Sequence, residues 1–85
     1  MFINKTADGR NNICGVNIAR LRKEMQISQR ELADRLQLHG LDLDKNAVQR
    51  IESGQRFLTD IELQHFRAVL NTSFEALYSS LFPGT

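Results

Sequence analysis

A short run of polar side chains at helical spacing has the chemistry needed to recognise base pairs. If residues 45–53 form a helix, Ala47, Val48 and Ile51 fall on one side of it. The opposite side carries amides and a guanidinium, which can form paired hydrogen bonds with adenine and guanine in the major groove of DNA. The residues on that polar side are Asn46, Gln49, Arg50 and Ser53. This pattern predicts a helix that reads double-stranded DNA.

Capping signals predict a second helix immediately before this one, joined to it by a tight corner. Ser28 and Glu31 have the spacing of a capping box, which starts a helix. Gly40 stands where a helix ends in a left-handed residue, and Asp44 supplies the N-cap of the next helix. Two short helices around a corner are typical of a helix-turn-helix. The predicted elements are helix 2 at about 29–39 and the recognition helix at about 45–53.

Apolar spacing and further caps predict three more helices. The first extends from near Cys14 to Met25 along one apolar stripe. The fourth opens at Thr59, where Glu62 completes a capping box, and the fifth opens at Ser73. No strand pattern competes with these signals. The predicted fold class is therefore all-α, a compact five-helix bundle.

The N-terminal residues are polar and lack apolar periodicity. We interpret residues 1–13 as a flexible arm, with the DNA-binding domain spanning residues 14–82. Two readings of the arm are open. It is either a frayed terminus or a segment that reaches DNA through Lys5 and Arg10.

Length, charge and cysteine content narrow the class of protein. The 85 residues suffice for one small domain, and 41% hydrophobic with 25% charged residues is ordinary for a globular protein. Residues 1–56 carry ten Lys and Arg against seven Asp and Glu, whereas residues 57–85 carry one against three. The basic side coincides with the helix-turn-helix. A single cysteine, Cys14, and the lack of a signal peptide or membrane-spanning segment predict a cytoplasmic location.

The ordered set of these residues resembles the Cro/cI-type, or XRE, helix-turn-helix family. The resemblance covers roughly Gly15 to Leu77. It implies a lambda-repressor-like fold and a bacterial or phage DNA-binding regulator that usually binds its operator as a dimer. The matching positions are Ile18, Leu21-Arg22, Ser28-Gln29, Leu32-Ala33, Val48, Arg50 to Gly54, Asp60 to Leu63, Leu70 and Leu77.

The resemblance also implies roles for individual residues. Bases would be read by Lys45, Asn46, Gln49 and Arg50, phosphates contacted by Gln29, Gln55 and Arg56, and an ion pair formed by Arg22 and Glu52. The pair has independent support, because an acidic residue in the last turn of a helix opposes the helix dipole. Between Ala33 and Glu52 the chain is several residues longer than the family pattern, with the surplus in residues 36–43. We expect this surplus to lengthen helix 2 and the turn.

The sequence gives little indication of a metal site or an enzyme active site. Cys14, His39 and His65 are too dispersed for a zinc motif, so we predict no metal and no cofactor. No phosphate-binding Gly-rich loop, nucleophile elbow or HExxH motif is present, so we predict no enzyme.

The predicted function is a sequence-specific double-stranded DNA-binding repressor that binds a palindromic operator as a homodimer. The alternative is an antitoxin or adaptor that uses the same fold mainly to hold a protein partner. Tyr78, Leu81 and Phe82 are either core cover or a dimer seam.

Overall fold

The chain folds into five α-helices. The computed structural model describes residues 5–79, which contain no strand. This confirms the all-α prediction. The helices are α1 (Gly15–Glu24), α2 (Gln29–His39), α3 (Lys45–Glu52), α4 (Asp60–Val69) and α5 (Phe74–Ser79).

Side-chain caps start the three central helices. Asp44 accepts a hydrogen bond from the Ala47 N–H at the start of α3, and Thr59 forms a complete capping box with Glu62 at the start of α4. Ser28 caps α2 through its hydroxyl, which accepts from the Glu31 N–H. The Glu31 carboxylate, which was expected to complete a capping box, accepts from Arg35 instead. Helix α3 ends one residue earlier than predicted, with Ser53 as its C-cap.

The segment between α2 and α3 ends one helix and leaves the next one intact. Gly40 adopts φ +108° after α2, and the Leu41 N–H donates to the Leu36 carbonyl at 2.9 Å, which completes a Schellman motif. Leu43 is buried, and Gln37 donates to its carbonyl at 3.0 Å. Residues 36–43, where the sequence predicts a surplus over the family pattern, therefore form the end of α2 and the turn.

The core lies where α2 packs on α3 and α4, and where α1 packs on α3 and α5. Its members are aliphatic apart from Cys14 and Phe66. The largest fully buried apolar side chains are Phe66, Ile18, Leu32, Leu36, Ile51, Leu77 and Val48. Because Val48 and Ile51 are anchored here, the opposite face of α3 must point away from the core.

Part of the predicted flexible arm contacts the end of α3. Residues 10–12 form hydrogen bonds with the end of α3 and with the loop that follows, and Asn12 is only 7% exposed. These three residues therefore contact the domain that was predicted to span residues 14–82. An asparagine-rich stretch without apolar periodicity gave no sign of this packing. Residues 1–4 of the predicted arm, and 80–82 of the predicted domain, lie outside the described residues.

None of the five helices in the described part of the chain has the length and apolar content needed to cross a membrane.

Candidate nucleic-acid interface

The polar face of α3 points towards solvent. Its four expected base-reading side chains are all exposed, whereas Val48 and Ile51 beneath them are fully buried. Within residues 5–79, none of the four side chains forms a hydrogen bond or ion pair with another part of the protein. They are Lys45, Asn46, Gln49 and Arg50. A face of unpaired donors and acceptors on a rigid helix can bind a polar ligand without first breaking internal bonds.

Residues of this face line two clefts. Asn46, Gln49 and Arg50 line one of them together with Ser53 and Gln55, which continue the surface past the end of α3. The other cleft separates the first turn of α3 from α2. It is lined by Arg30, Ala33, Asp34, Gln37, Asp44, Lys45 and Asn46.

The second cleft is lined by a basic side chain, Arg30, that was not among the predicted site residues. Arg30 is exposed in the first turn of α2, beside Lys45 and Asn46. Its charge and its position directly after Gln29 could have identified it as a further candidate phosphate contact.

Glu52 joins the first three helices at the base of the interface. Arg22 donates to its carboxylate twice, from Nε at 2.7 Å and from a terminal nitrogen at 3.1 Å. The two side chains are 11% and 7% exposed, so the predicted ion pair is present and nearly buried. Arg22 also donates to the Ile27 carbonyl at 2.9 Å. This arrangement fixes the last turn of α3 against α1 and α2.

Gln29 lies in the first turn of α2, where the resemblance places it, and is half-buried. Its amide nitrogen donates to Glu52 Oε1 at 2.9 Å. One donor of the expected phosphate contact is therefore used internally, and the contact itself stays a prediction.

Gln55 and Arg56 lie in different surroundings despite their adjacent positions. Gln55 is exposed on the α3 side, whereas Arg56 forms a two-point ion pair with Glu62 at 2.8 and 3.1 Å. The Arg56 guanidinium lowers the pKa of the Glu62 carboxyl, with a smaller contribution from the Thr59 backbone N–H. The paired carboxylate also raises the pKa of Arg56. An incoming phosphate would have to compete with Glu62 for this guanidinium.

The two histidines, which are far apart in sequence, touch in space. His39 ends α2 and His65 lies on α4, and their Nδ1 atoms are 2.8 Å apart with perpendicular rings. Across residues 5–79, no group of three or more His, Cys, Asp or Glu side chains could hold a metal ion. Cys14 is buried, and burial raises the pKa of its thiol.

Apolar side chains cover the surface around α4 and α5. Ile61, Phe74 and Tyr78 line one cleft, which adjoins a second cleft lined in part by Ile13 and Phe57. All five are exposed, between 39% for Tyr78 and 67% for Ile61. We call these five residues the apolar surface. Tyr78 was expected in a core cover or a dimer seam, and the other members of that prediction, Leu81 and Phe82, lie outside the described residues.

Comparison with known proteins gives one match. A family model described as helix-turn-helix matches residues 18–77. Neither the curated proteins nor the solved structures gave a match. The matched range contains α2, the turn and α3 in full, and it covers most of the chain. Its members are DNA-binding transcription regulators with an all-α, lambda-repressor-like fold. The chain belongs to this Cro/cI-type, or XRE, helix-turn-helix family.

Proposed function

We propose that the protein represses transcription by binding a palindromic operator as a homodimer, with α3 in the major groove. The observation that carries the proposal is the exposed polar face of α3, whose base-reading side chains have no partner within residues 5–79, opposite a fully buried apolar face. A protein that occupies an operator excludes other proteins from it, which is the simplest route to repression. The site of action is the DNA of the bacterial cytoplasm.

Each base-reading side chain has a defined chemistry. Arg50 pairs with guanine through two donors, and Asn46 or Gln49 pairs with adenine through a donor and an acceptor. Each such pair contributes about 1–3 kcal/mol of discrimination against a wrong base. Lys45 in the first turn recognises an acceptor on a base or phosphate beside the turn.

Phosphate contacts at both ends of the interface orient the protein. Gln29 and Arg30 supply them at the start of α2, and Gln55 and Arg56 supply them after α3. Because Arg56 is held by Glu62, its transfer to a phosphate costs part of the existing ion pair. Its contribution to affinity is therefore smaller than that of an unpaired arginine.

The size of the molecule and its apolar surface support a dimer. The folded chain extends 38 × 30 × 19 Å, and half-sites on one side of DNA are separated by one helical turn of about 34 Å. Two copies side by side therefore fit successive major grooves. The apolar surface around Ile61, Phe74 and Tyr78 is the part that a second copy would cover.

Selection of bound sequences from a random double-stranded DNA pool tests this function. We expect a palindromic site and a complex with two protein chains per site in sedimentation. Arg50→Ala should relax the preference at one base position per half-site, with Arg20→Ala in an exposed ion pair on α1 as a charge-matched control. If Asn46→Ala, Gln49→Ala and Arg50→Ala all keep the wild-type preference, α3 is not the reader. One chain per site would exclude the dimer.

The apolar surface also favours the alternative function, an antitoxin or adaptor. Such a protein would cover the surface with a different partner and would bind DNA weakly or as a complex. Co-purification of a stoichiometric second protein from the native host, together with no DNA binding by the isolated chain, would favour it.

A further inference from the structure

Three consecutive polar residues before α1 hold the end of the proposed recognition helix. Arg10 donates to the Glu52 carbonyl at 2.8 Å. The Asn11 N–H donates to the Gly54 carbonyl at 2.7 Å, and its side chain donates to the Gln55 carbonyl at 2.9 Å. These carbonyls belong to the end of α3 and the loop after it, where the helix itself leaves acceptors unpaired.

Asn12 makes the central contacts of this segment. Its amide nitrogen donates to the Ile51 carbonyl at 2.9 Å and to the Arg56 carbonyl at 2.8 Å. Its amide oxygen accepts from the Gly15 N–H at 2.8 Å. One buried carboxamide therefore links the start of α1, the last turn of α3 and the segment that follows it.

Close packing accompanies these hydrogen bonds. A Cβ atom on Gly54 would lie 2.8 Å from Cγ of Arg10, and one on Gly15 would overlap the Ile51 carbonyl oxygen. The guanidinium of Arg10 also places a positive charge at the negative end of the α3 dipole. Residues 10–12 precede the range that matches the family model, which begins at residue 18.

We propose that residues 10–12 form a clamp that positions the end of α3 and the Gln55–Arg56 segment for DNA binding. Asn12 is its main positioning residue. This inference rests on the proposed function, because it assigns the clamp to the interface through which α3 reads DNA. The clamp itself is a property of the free protein and is tested separately from DNA binding.

The first test measures amide hydrogen exchange in the free protein. In Asn12→Ala and Arg10→Ala, the amides of residues 54–56 should exchange about tenfold faster relative to those in the middle of α2. The ratio removes any loss of global stability, because global unfolding exposes both regions equally. Arg20→Ala removes the same charge as Arg10→Ala from an exposed ion pair on α1 and should leave the ratio unchanged. An unchanged ratio in both clamp variants would overturn the clamp.

The second test measures affinity for the selected DNA site at a temperature where the variants are fully folded. Asn12→Ala should bind about tenfold more weakly, with an unchanged dependence of affinity on salt because no charge is removed. Wild-type affinity together with faster exchange would overturn the role in DNA binding.

The clamp can still be tested if a variant does not fold or if the protein does not bind DNA. If Asn12→Ala does not fold, Asn11→Ala replaces it in both measurements. It removes the exposed hydrogen bond to the Gln55 carbonyl, together with one from Lys5, and should act in the same direction. If the wild-type protein binds no double-stranded DNA, the proposed function fails. The exchange ratio then decides the clamp alone.

Discussion

The two ends of α3 are held by different means. At its start, the helix depends on local contacts: the Asp44 cap, and the buried Leu43 whose carbonyl accepts from Gln37. At its end, side chains from α1, α2 and the N-terminal segment converge on Glu52 and its neighbours. Residues 36–43, where the sequence predicts a surplus over the family pattern, precede the locally held end. A change in turn length therefore alters the start of the helix while its end stays fixed.

The largest effect should come from breaking the firmly held end. Arg22→Ala should lower the free energy of unfolding by about 3–5 kcal/mol, because it strands the nearly buried carboxylate of Glu52. Urea unfolding measures the loss. The cycle with Glu52→Ala and the double variant should be strongly non-additive. Effects that add to within about 0.5 kcal/mol would show that the two residues do not interact.

Removing the cap should have a smaller effect at the locally held end. Asp44→Ala should cost about 1 kcal/mol, since the Ala47 N–H loses its acceptor. Ser28→Ala removes the equivalent cap from α2 and is the matched control. Thermal unfolding should rank both variants alike, while hydrogen exchange should increase in the first turn of α3 only in Asp44→Ala. Equal exchange there in both variants would show that the Asp44 cap does not hold the start of α3.

Acid should weaken the Arg56–Glu62 ion pair, which lies just beyond the firmly held end of α3. The pKa of Glu62 is lowered in the folded protein from an ordinary value of 4.5, so its contribution is complete above that pH and is lost as pH falls through the folded value. We expect stability to fall with acid below about pH 4.5 less steeply in Glu62→Gln than in the wild type. Chemical unfolding at a series of pH values provides the measurement. Identical slopes of stability against pH in the two proteins would show that Glu62 does not contribute to the acid sensitivity.

The smallest effect on stability should come from the exposed face between the two ends. Asn46→Ala and Gln49→Ala should change the free energy of unfolding by less than about 0.5 kcal/mol, because neither side chain has a partner within residues 5–79. Thermal unfolding measures this. A loss above about 1 kcal/mol would mean that these two residues support the fold.

Local signals in the sequence were enough to locate the helices. Caps such as Asp44 and Thr59 act within one turn of the chain, so their spacing alone predicts where α3 and α4 begin. The Arg22–Glu52 pair was also predictable, because an acidic residue at a helix end requires compensation and the family resemblance supplied the partner.

Contacts with distant backbone left no such signal. Asn12 binds carbonyl groups, which every residue has, so no feature of its partners marks them in the sequence. The same holds for Asn17, which is fully buried and donates to the Leu77 carbonyl. The contact between His39 and His65 depends on how α2 packs against α4. These features need the tertiary structure, because apolar periodicity does not report them.

The contacts of the clamp have a consequence for the order of folding. Its bonds to the end of α3 join residues 39 to 44 positions apart, whereas the cap and turn bonds at the start of α3 span three and six positions. Closing a long loop costs more chain entropy than closing a short one, so local contacts form earlier. The α2–turn–α3 unit should therefore assemble first, and the N-terminal segment should dock last. During synthesis, residues 10–12 would leave the ribosome well before the carbonyl groups of residues 51–56 that they bind in the folded domain.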